Sequence, residues 1–273
     1  MGKRPKNHKQ LRDGAAFPPA SKPAGTDPSR MAEAAWGPQG GSPAGDRGRV
    51  ITFGPAPGTP RAGPALLDDF ATPTGLSISK EDINKLPVGN FAGVVHWIRG
   101  NIAAEAALQQ LRKETVLGFD TETKPAFRKG QWNPPALIQL AGAEAVYVFR
   151  LQDLSNSVHE GLAALLANSG IKKAGVGINC DIKELQRTHH FKNFKPGGFV
   201  ELGEAANPNG KQLISLRALA AIYMGVRISK TLSVSNWAHP EISNRHILYA
   251  ATDAWVCREV VLKIPFSVCH LSL

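Results

Sequence analysis

The sequence predicts an α/β fold: a mixed sheet, built from antiparallel hairpin strands plus parallel strands, flanked by helices. Three observations lead there. Two apolar runs, Ala136 to Ala141 and Ala145 to Phe149, are separated only by Gly142-Ala143-Glu144, which reads as a hairpin. Beyond them, short apolar runs alternate with longer stretches of helical spacing, the pattern of βα units. At 273 residues and 42% hydrophobic content, the chain is long enough for one sizeable core, or for one domain plus a tail.

Residues 1 to about 66 hold 11 prolines and 11 glycines with few aliphatic residues to build a core, so residues 1–75 are expected to form a disordered basic tail. The cluster Lys3-Arg4-Pro5-Lys6, with His8 and Lys9, reads either as a phosphate-tracking or nuclear-address segment or as a solvated basic end. Order is expected from about residue 76, which gives a domain over 76–265 and a short C-terminal tail over 266–273. Val94 to Ile98 is the expected first strand. A helix over 101–112 follows, with Asn101 as its N-cap and apolar positions at Ile102, Ala106 and Leu108 to Leu111. Val116 to Thr121 is a strand that leads into the hairpin. A helix over 157–168, a short buried strand from Lys173 to Val176, and helices near 180–189, 213–224 and 244–262 complete the domain.

Bulk properties narrow the function. The formal charge of +10 suits a partner rich in phosphate. Cys180, Cys257 and Cys269 show no CxxC spacing, which argues against a disulfide scaffold and a zinc site. They favour a reducing compartment, the cytoplasm, or the nucleus if the source is eukaryotic. No run of about 18 apolar residues is present, so no membrane span is expected, and the first 30 residues lack the apolar centre of a secretory signal.

Three short acidic segments carry the chemistry. In Val116-Leu117-Gly118-Phe119-Asp120-Thr121-Glu122 an apolar strand passes abruptly into carboxylates, and residues two apart on a strand point to one face. Asp120 and Glu122 therefore project together, either into solvent at a strand end or around a divalent cation with oxygen ligands. In Gly175-Val176-Gly177-Ile178-Asn179-Cys180-Asp181, Asn179 is a natural N-cap, and Asp181 falls in the first helical turn, where the helix dipole favours an anion. Taken singly, Asp181 reads as a helix-start acid as readily as a ligand; Glu184 is a competing acid on the same helix. In Tyr249-Ala250-Ala251-Thr252-Asp253, the phenol and the carboxylate are four apart and share a helix face. The small residues Ala250, Ala251 and Ala254 allow that helix to approach the sheet.

Together, Asp-Thr-Glu-Thr, Gly-Val-Gly-x-x-x-Asp and Tyr-Ala-Ala-Thr-Asp-Ala resemble the three exonuclease motifs of the DEDD superfamily, in its tyrosine-bearing, ribonuclease D-like branch. The resemblance covers roughly residues 76–265 and extends to Pro135 to Leu140 and to Leu232 to Trp237. It departs at Asn179-Cys180 before Asp181 and lacks the accessory helical domains of ribonuclease D, so a stand-alone exonuclease is expected. A hairpin leading into βα units is consistent with the ribonuclease H-like architecture of this family.

The resemblance implies a 3′–5′ exonuclease that hydrolyses terminal phosphodiesters of single-stranded or 3′-recessed nucleic acid to nucleoside 5′-monophosphates. It implies Asp120, Glu122, Asp181 and Asp253 as ligands of two divalent ions, Mg²⁺ or Mn²⁺, with Asp120 bridging them and Tyr249 orienting the attacking water. Thr121, Thr123, Lys230 and Trp237 are the implied substrate contacts. The rival expectations are a nucleic-acid-binding module of the same fold without catalysis, and an endonuclease of related architecture. Phe127 and Trp132, after the first motif, read as stacking surfaces for unpaired bases or, more readily, as side chains packed within a loop.

Overall fold

A computed structural model describes residues 48–55, 71–72, 75–207 and 213–264. The basic cluster at residues 3–9, most of the expected tail, Cys269 and residues 266–273 lie outside these described residues. The strands are β1 (Arg49–Phe53), β2 (Ala71–Thr72), β3 (Gly75–Leu76), β4 (Gly93–Ile98), β5 (Val116–Thr123), β6 (Pro135–Ala141), β7 (Ala145–Arg150), β8 (Lys172–Gly175) and β9 (Phe199–Glu201). The helices are α1 (Lys80–Lys85), α2 (Asn101–Leu111), α3 (Asn156–Ala167), α4 (Ile178–Gln186), α5 (Leu202–Ala205), α6 (Leu216–Met224) and α7 (Asn244–Val261). None of the described helices is long and apolar enough to cross a membrane.

Seven strands form one sheet in the order β1-β4-β7-β6-β5-β8-β9, while β2 and β3 pair separately. The β5–β6 and β6–β7 pairs are antiparallel, whereas β4–β7, β5–β8 and β8–β9 are parallel. This is the mixed sheet that the hairpin and the βα alternation predict. β6 is buried at all seven positions, as a central strand covered on both faces must be. On one face, Leu117, Phe119, Ile138, Leu140 and Phe149 pack with Leu108, Leu162 and Ile182 from α2, α3 and α4. On the other, Leu137, Val146, Val148, Val95 and Trp97 pack with Ala250, Ala251 and Ala254 of α7.

Four local expectations need correction. The expected tail contains β1, which pairs antiparallel with β4 and places Ile51 and Phe53 in the core. Pro and Gly excess averaged over 66 residues hides a five-residue strand whose order comes from β4 and the core it joins. The buried face of α2 is Ala104, Ala107, Leu108 and Leu111, while Ile102 is 66% exposed. Asn101 is not its cap: Gly100 precedes the helix, and the Asn101 side-chain oxygen accepts from Ser155 N–H on the neighbouring helix start at 2.8 Å. Asn179 likewise lies inside α4, whose start is set by Gly177 in the left-handed region (φ 75°), a conformation that favours glycine. The strand β9 and the short α1 and α5 carry no periodic signal in the sequence.

Candidate active site

The three acidic segments converge at the carboxyl end of β5. Gly118, Asp120 and Glu122 share the face toward α7, because a Cβ at Gly118 would meet the Ala254 carbonyl oxygen. Leu117 and Phe119 share the opposite core with Ile178 and Ile182 of α4, so Thr121 faces that side. β8 pairs with β5 only from Val116 to Gly118, which leaves the end of β5 without a strand neighbour on that side among the described residues. The chain leaving β8 turns at Gly177 into α4 and brings Asp181, in its first turn, beside this open edge. There Thr121 Oγ1 donates a hydrogen bond to Asp181 Oδ1 at 2.5 Å.

α7 delivers the remaining acid. Ala250, Ala251 and Ala254 have no exposed surface, so the helix lies against the sheet with no long side chain holding it off. One carboxylate oxygen from each of Asp120, Glu122 and Asp253 falls within 4.8 Å of the others. Asp181 is outside this close triad and is joined to it through Thr121 and through its charge. Tyr249, one turn before Asp253 on α7, places its phenol close enough to the Asp253 carboxylate for each to shift the other's titration.

Electrostatics register the crowding. Burial, then the charges of Asp253 and Asp181, pushes Glu122 up to about 9. Burial raises Asp120 well above the carboxylate range, with Glu122, Asp253 and Asp181 adding to it. Asp253 rises to about 7 by burial, held back by the Tyr249 hydroxyl and by the Lys230 charge. Asp181 rises to about 6 by burial, held back by the Thr121 hydrogen bond. The Tyr249 phenol is pushed further above its ordinary value by burial and then by Asp253, so it stays protonated. Buried carboxylates this close are stable as anions only with positive charge between them. An all-oxygen set of this kind fits hard divalent cations such as Mg²⁺ or Mn²⁺.

The remaining sequence-derived residues divide. Lys230 is exposed, and its charge acts on Asp253 from the solvent side. Thr123 closes β5 just past a register shift after Glu122 and is half-buried. Trp237 is not available for substrate contact: it is 0% exposed and packs against Tyr249, with ring centroids 5.8 Å apart, and against His246 at 5.4 Å. Its position is behind the phenol, where it fixes the ring. Glu184 is not a ligand either. It accepts the indole N–H of Trp132 and pairs with Arg187 at 3.0 Å.

Two residues of the site carried too weak a signal in the sequence. Gly118 interrupts an apolar strand, which on a strand indicates close approach of another backbone. Glu201 ends the unforeseen β9, and its buried carboxylate accepts from Ile178 N–H at 3.0 Å and from Gly203 N–H at 3.1 Å. It thereby satisfies the first turn of the helix that bears Asp181. Glu201→Ala is expected to lower stability by about 1–2 kcal/mol, as loss of a cap does. Because Asp181 loses its mounting, Mn²⁺ affinity measured by calorimetry is expected to fall as well; unchanged affinity would make Glu201 purely structural.

Comparison with known proteins is consistent with this geometry. A family model described as 3′–5′ exonuclease matches residues 95–265. The chain is 36% identical over 157 residues to the mouse bifunctional 3′–5′ exonuclease/ATP-dependent helicase WRN, covering 56% of this chain and 11% of that protein. It is 25% identical over 211 residues to a putative 3′–5′ exonuclease of Acanthamoeba polyphaga mimivirus, covering 69% and 49% respectively. The chain thus spans less than half the length of either curated relative. The EXO domain of Aedes aegypti Nibbler aligns with a TM-score of 0.54 at 22% identity, covering 63% of this chain and 87% of that one. Escherichia coli RNase D aligns with a TM-score of 0.55 at 19% identity, covering 62% and 43%. These two structures share the fold.

Proposed function

Because the chain belongs to the 3′–5′ exonuclease family, within the DEDD superfamily, we propose that it hydrolyses the terminal phosphodiester at the 3′ end of a nucleic acid strand. The products are nucleoside 5′-monophosphates. The observation that carries this reading is the approach of Asp120, Glu122 and Asp253 within 4.8 Å, with the Tyr249 phenol one helical turn before Asp253 on α7. Together with Asp181, these carboxylates would hold two Mg²⁺ or Mn²⁺ ions, which when bound acidify a water and stabilise the leaving 3′ oxygen.

The chain's own groups do the positioning. The phenol of Tyr249 stays protonated at physiological pH, so it orients a water by hydrogen bonding and does not abstract its proton. Trp237 holds the phenol ring from behind. Lys230 supplies positive charge at the rim, where a scissile phosphate adds negative charge. Thr121 holds Asp181 in register with the β5 acids. No covalent intermediate is required, so no nucleophilic side chain is needed.

Digestion of matched 3′-labelled and 5′-labelled DNA and RNA strands in Mn²⁺, then in chelator, tests the proposal. Shortening from the 3′ end that stops in chelator supports it, as does failure to cut circular single-stranded DNA. Tight binding with no shortening would establish a binding module instead. Tyr249→Phe is expected to lower kcat by about 10²-fold with little change in KM, the loss typical of one positioned hydrogen bond that acts in the transition state; stopped-flow single-turnover rates check it.

A further inference from the structure

We propose that the loop of residues 124–134 is the platform that holds the unpaired strand next to the 3′ end, with Phe127 stacking on a base and Lys124, Arg128 and Lys129 meeting its phosphates. This rests on the exonuclease reading above and adds to it the residues that hold the strand beyond the scissile bond.

The loop's composition points to an anionic partner. Between Glu122 and Glu144 there is no acidic residue, while Lys124, Arg128 and Lys129 supply three cations. Phe127 lies among them with 83% of its surface exposed. A single exposed apolar side chain is ordinary, and so is a basic loop. A bare aromatic ring set between cations is the combination that binds single strands, with ring stacking on bases and ammonium or guanidinium groups on phosphates.

The frame of the loop is fixed, so the ring is presented and not merely tethered. Asn133 donates from its side-chain amide to the carbonyls of Lys124 at 2.9 Å and Pro125 at 3.2 Å, closing the base of the loop. Gln131 N–H donates to Arg128 C=O at 3.0 Å, and Gly130 takes φ 82°, making the turn at the tip. Trp132 is clamped onto α4: its indole N–H is donated to Glu184, and the Arg187 guanidinium lies 4.5 Å from the centre of its ring. Glu184 is one helical turn from Asp181. Of the two aromatics after the first motif, Trp132 therefore packs and Phe127 remains available.

Chain length keeps the platform close to the carboxylates. Phe127 follows Glu122 by five residues, which limits their separation to about 17 Å of chain. A strand whose terminal phosphodiester lies at the carboxylates then has its next few nucleotides within reach of the ring.

The test compares Phe127→Ala, Phe127→Leu and Phe127→Trp on a dinucleotide and on a 12-nucleotide single strand, both 3′-labelled, in Mn²⁺. For the alanine and leucine variants, KM for the 12-mer is expected to rise about tenfold at unchanged kcat, the loss of one stacked base. Dinucleotide hydrolysis stays at the wild-type level, and the tryptophan variant keeps the wild-type KM. Replacing Lys124, Arg128 and Lys129 together by Ala should make the logarithmic salt dependence of 12-mer binding shallower by about 2. An unchanged KM for the 12-mer in Phe127→Ala overturns the proposal, as does an equal loss on both substrates. Wild-type protein that shortens neither substrate would refute the exonuclease reading instead, so the two failures are distinct.

Discussion

Asp120→Asn is expected to yield a protein with no measurable exonuclease activity that nevertheless melts at a higher temperature than wild type in chelator. The two effects have one cause. Asp120 faces Glu122, Asp253 and Asp181 together, and each of these charges disfavours its own. The sign follows from linkage. A carboxyl whose folded pKa is raised stabilises the fold only while protonated, so its contribution is complete below its unfolded pKa and is lost as pH rises through the folded one. For Asp181 that loss runs from 3.8 to about 6, for Asp253 from 3.8 to about 7, and for Glu122 from 4.5 to about 9. Wild-type protein in chelator should therefore lose thermal stability steadily between pH 5 and 9.

The asparagine removes the ionisable group but keeps the size and shape of the side chain. At pH 8 in chelator its melting temperature should exceed that of wild type by about 5 °C, corresponding to a gain of a few kcal/mol. Saturating Mn²⁺ should invert the order, because only wild type gains the full binding free energy. Turnover should fall by at least about 10³-fold. Scanning calorimetry at pH 5, 7 and 9, with and without Mn²⁺, reads all of this. A variant less stable than wild type in chelator at pH 8 would falsify the account of a charge-strained cluster.

The parts of the site that sequence made legible are those set by short-range geometry. Alternation along a strand placed Asp120 and Glu122 on one face, and helical spacing placed Tyr249 above Asp253. Their mutual approach was readable only through the small residues on α7. Asp181 was ambiguous because its meaning depends on where β8 stops short beside β5, a length decided by pairing and not by local preference. Glu201 was invisible for a similar reason: three residues of edge strand carry no period, yet they position the acceptor for the α4 amides. Trp237 was expected at the substrate only through the family resemblance, and no local pattern shows that the indole is buried against Tyr249. β1 was missed because an edge strand owes its order to the strand it joins. In each case the missing information was a contact between segments far apart in sequence.

The contact between β5 and α7 also sets the second large effect, that of Gly118→Ala. A Cβ there would stand 1.9 Å from the Ala254 carbonyl oxygen and 2.8 Å from Arg258 N. Both atoms are helix main chain, so no side-chain rotation relieves the overlap, and α7 must move off the sheet by an ångström or more. That strain should lower stability by about 3 kcal/mol. Asp253 precedes Ala254 on the displaced helix, so the carboxylate triad opens as well, and a misplacement of this size costs about 10²-fold in rate. Ala254→Gly as a second change should restore nothing, because the opposing atom is the backbone oxygen and not the methyl group. Gly54→Ala serves as the control, since nothing lies within 4 Å of its Cβ position. Urea midpoints should separate the two variants clearly, and Mn²⁺ affinity should fall only in Gly118→Ala. Wild-type stability and turnover in that variant would mean that α7 does not rest on the strand at Gly118, and the route by which Asp253 reaches Asp120 would have to be sought elsewhere.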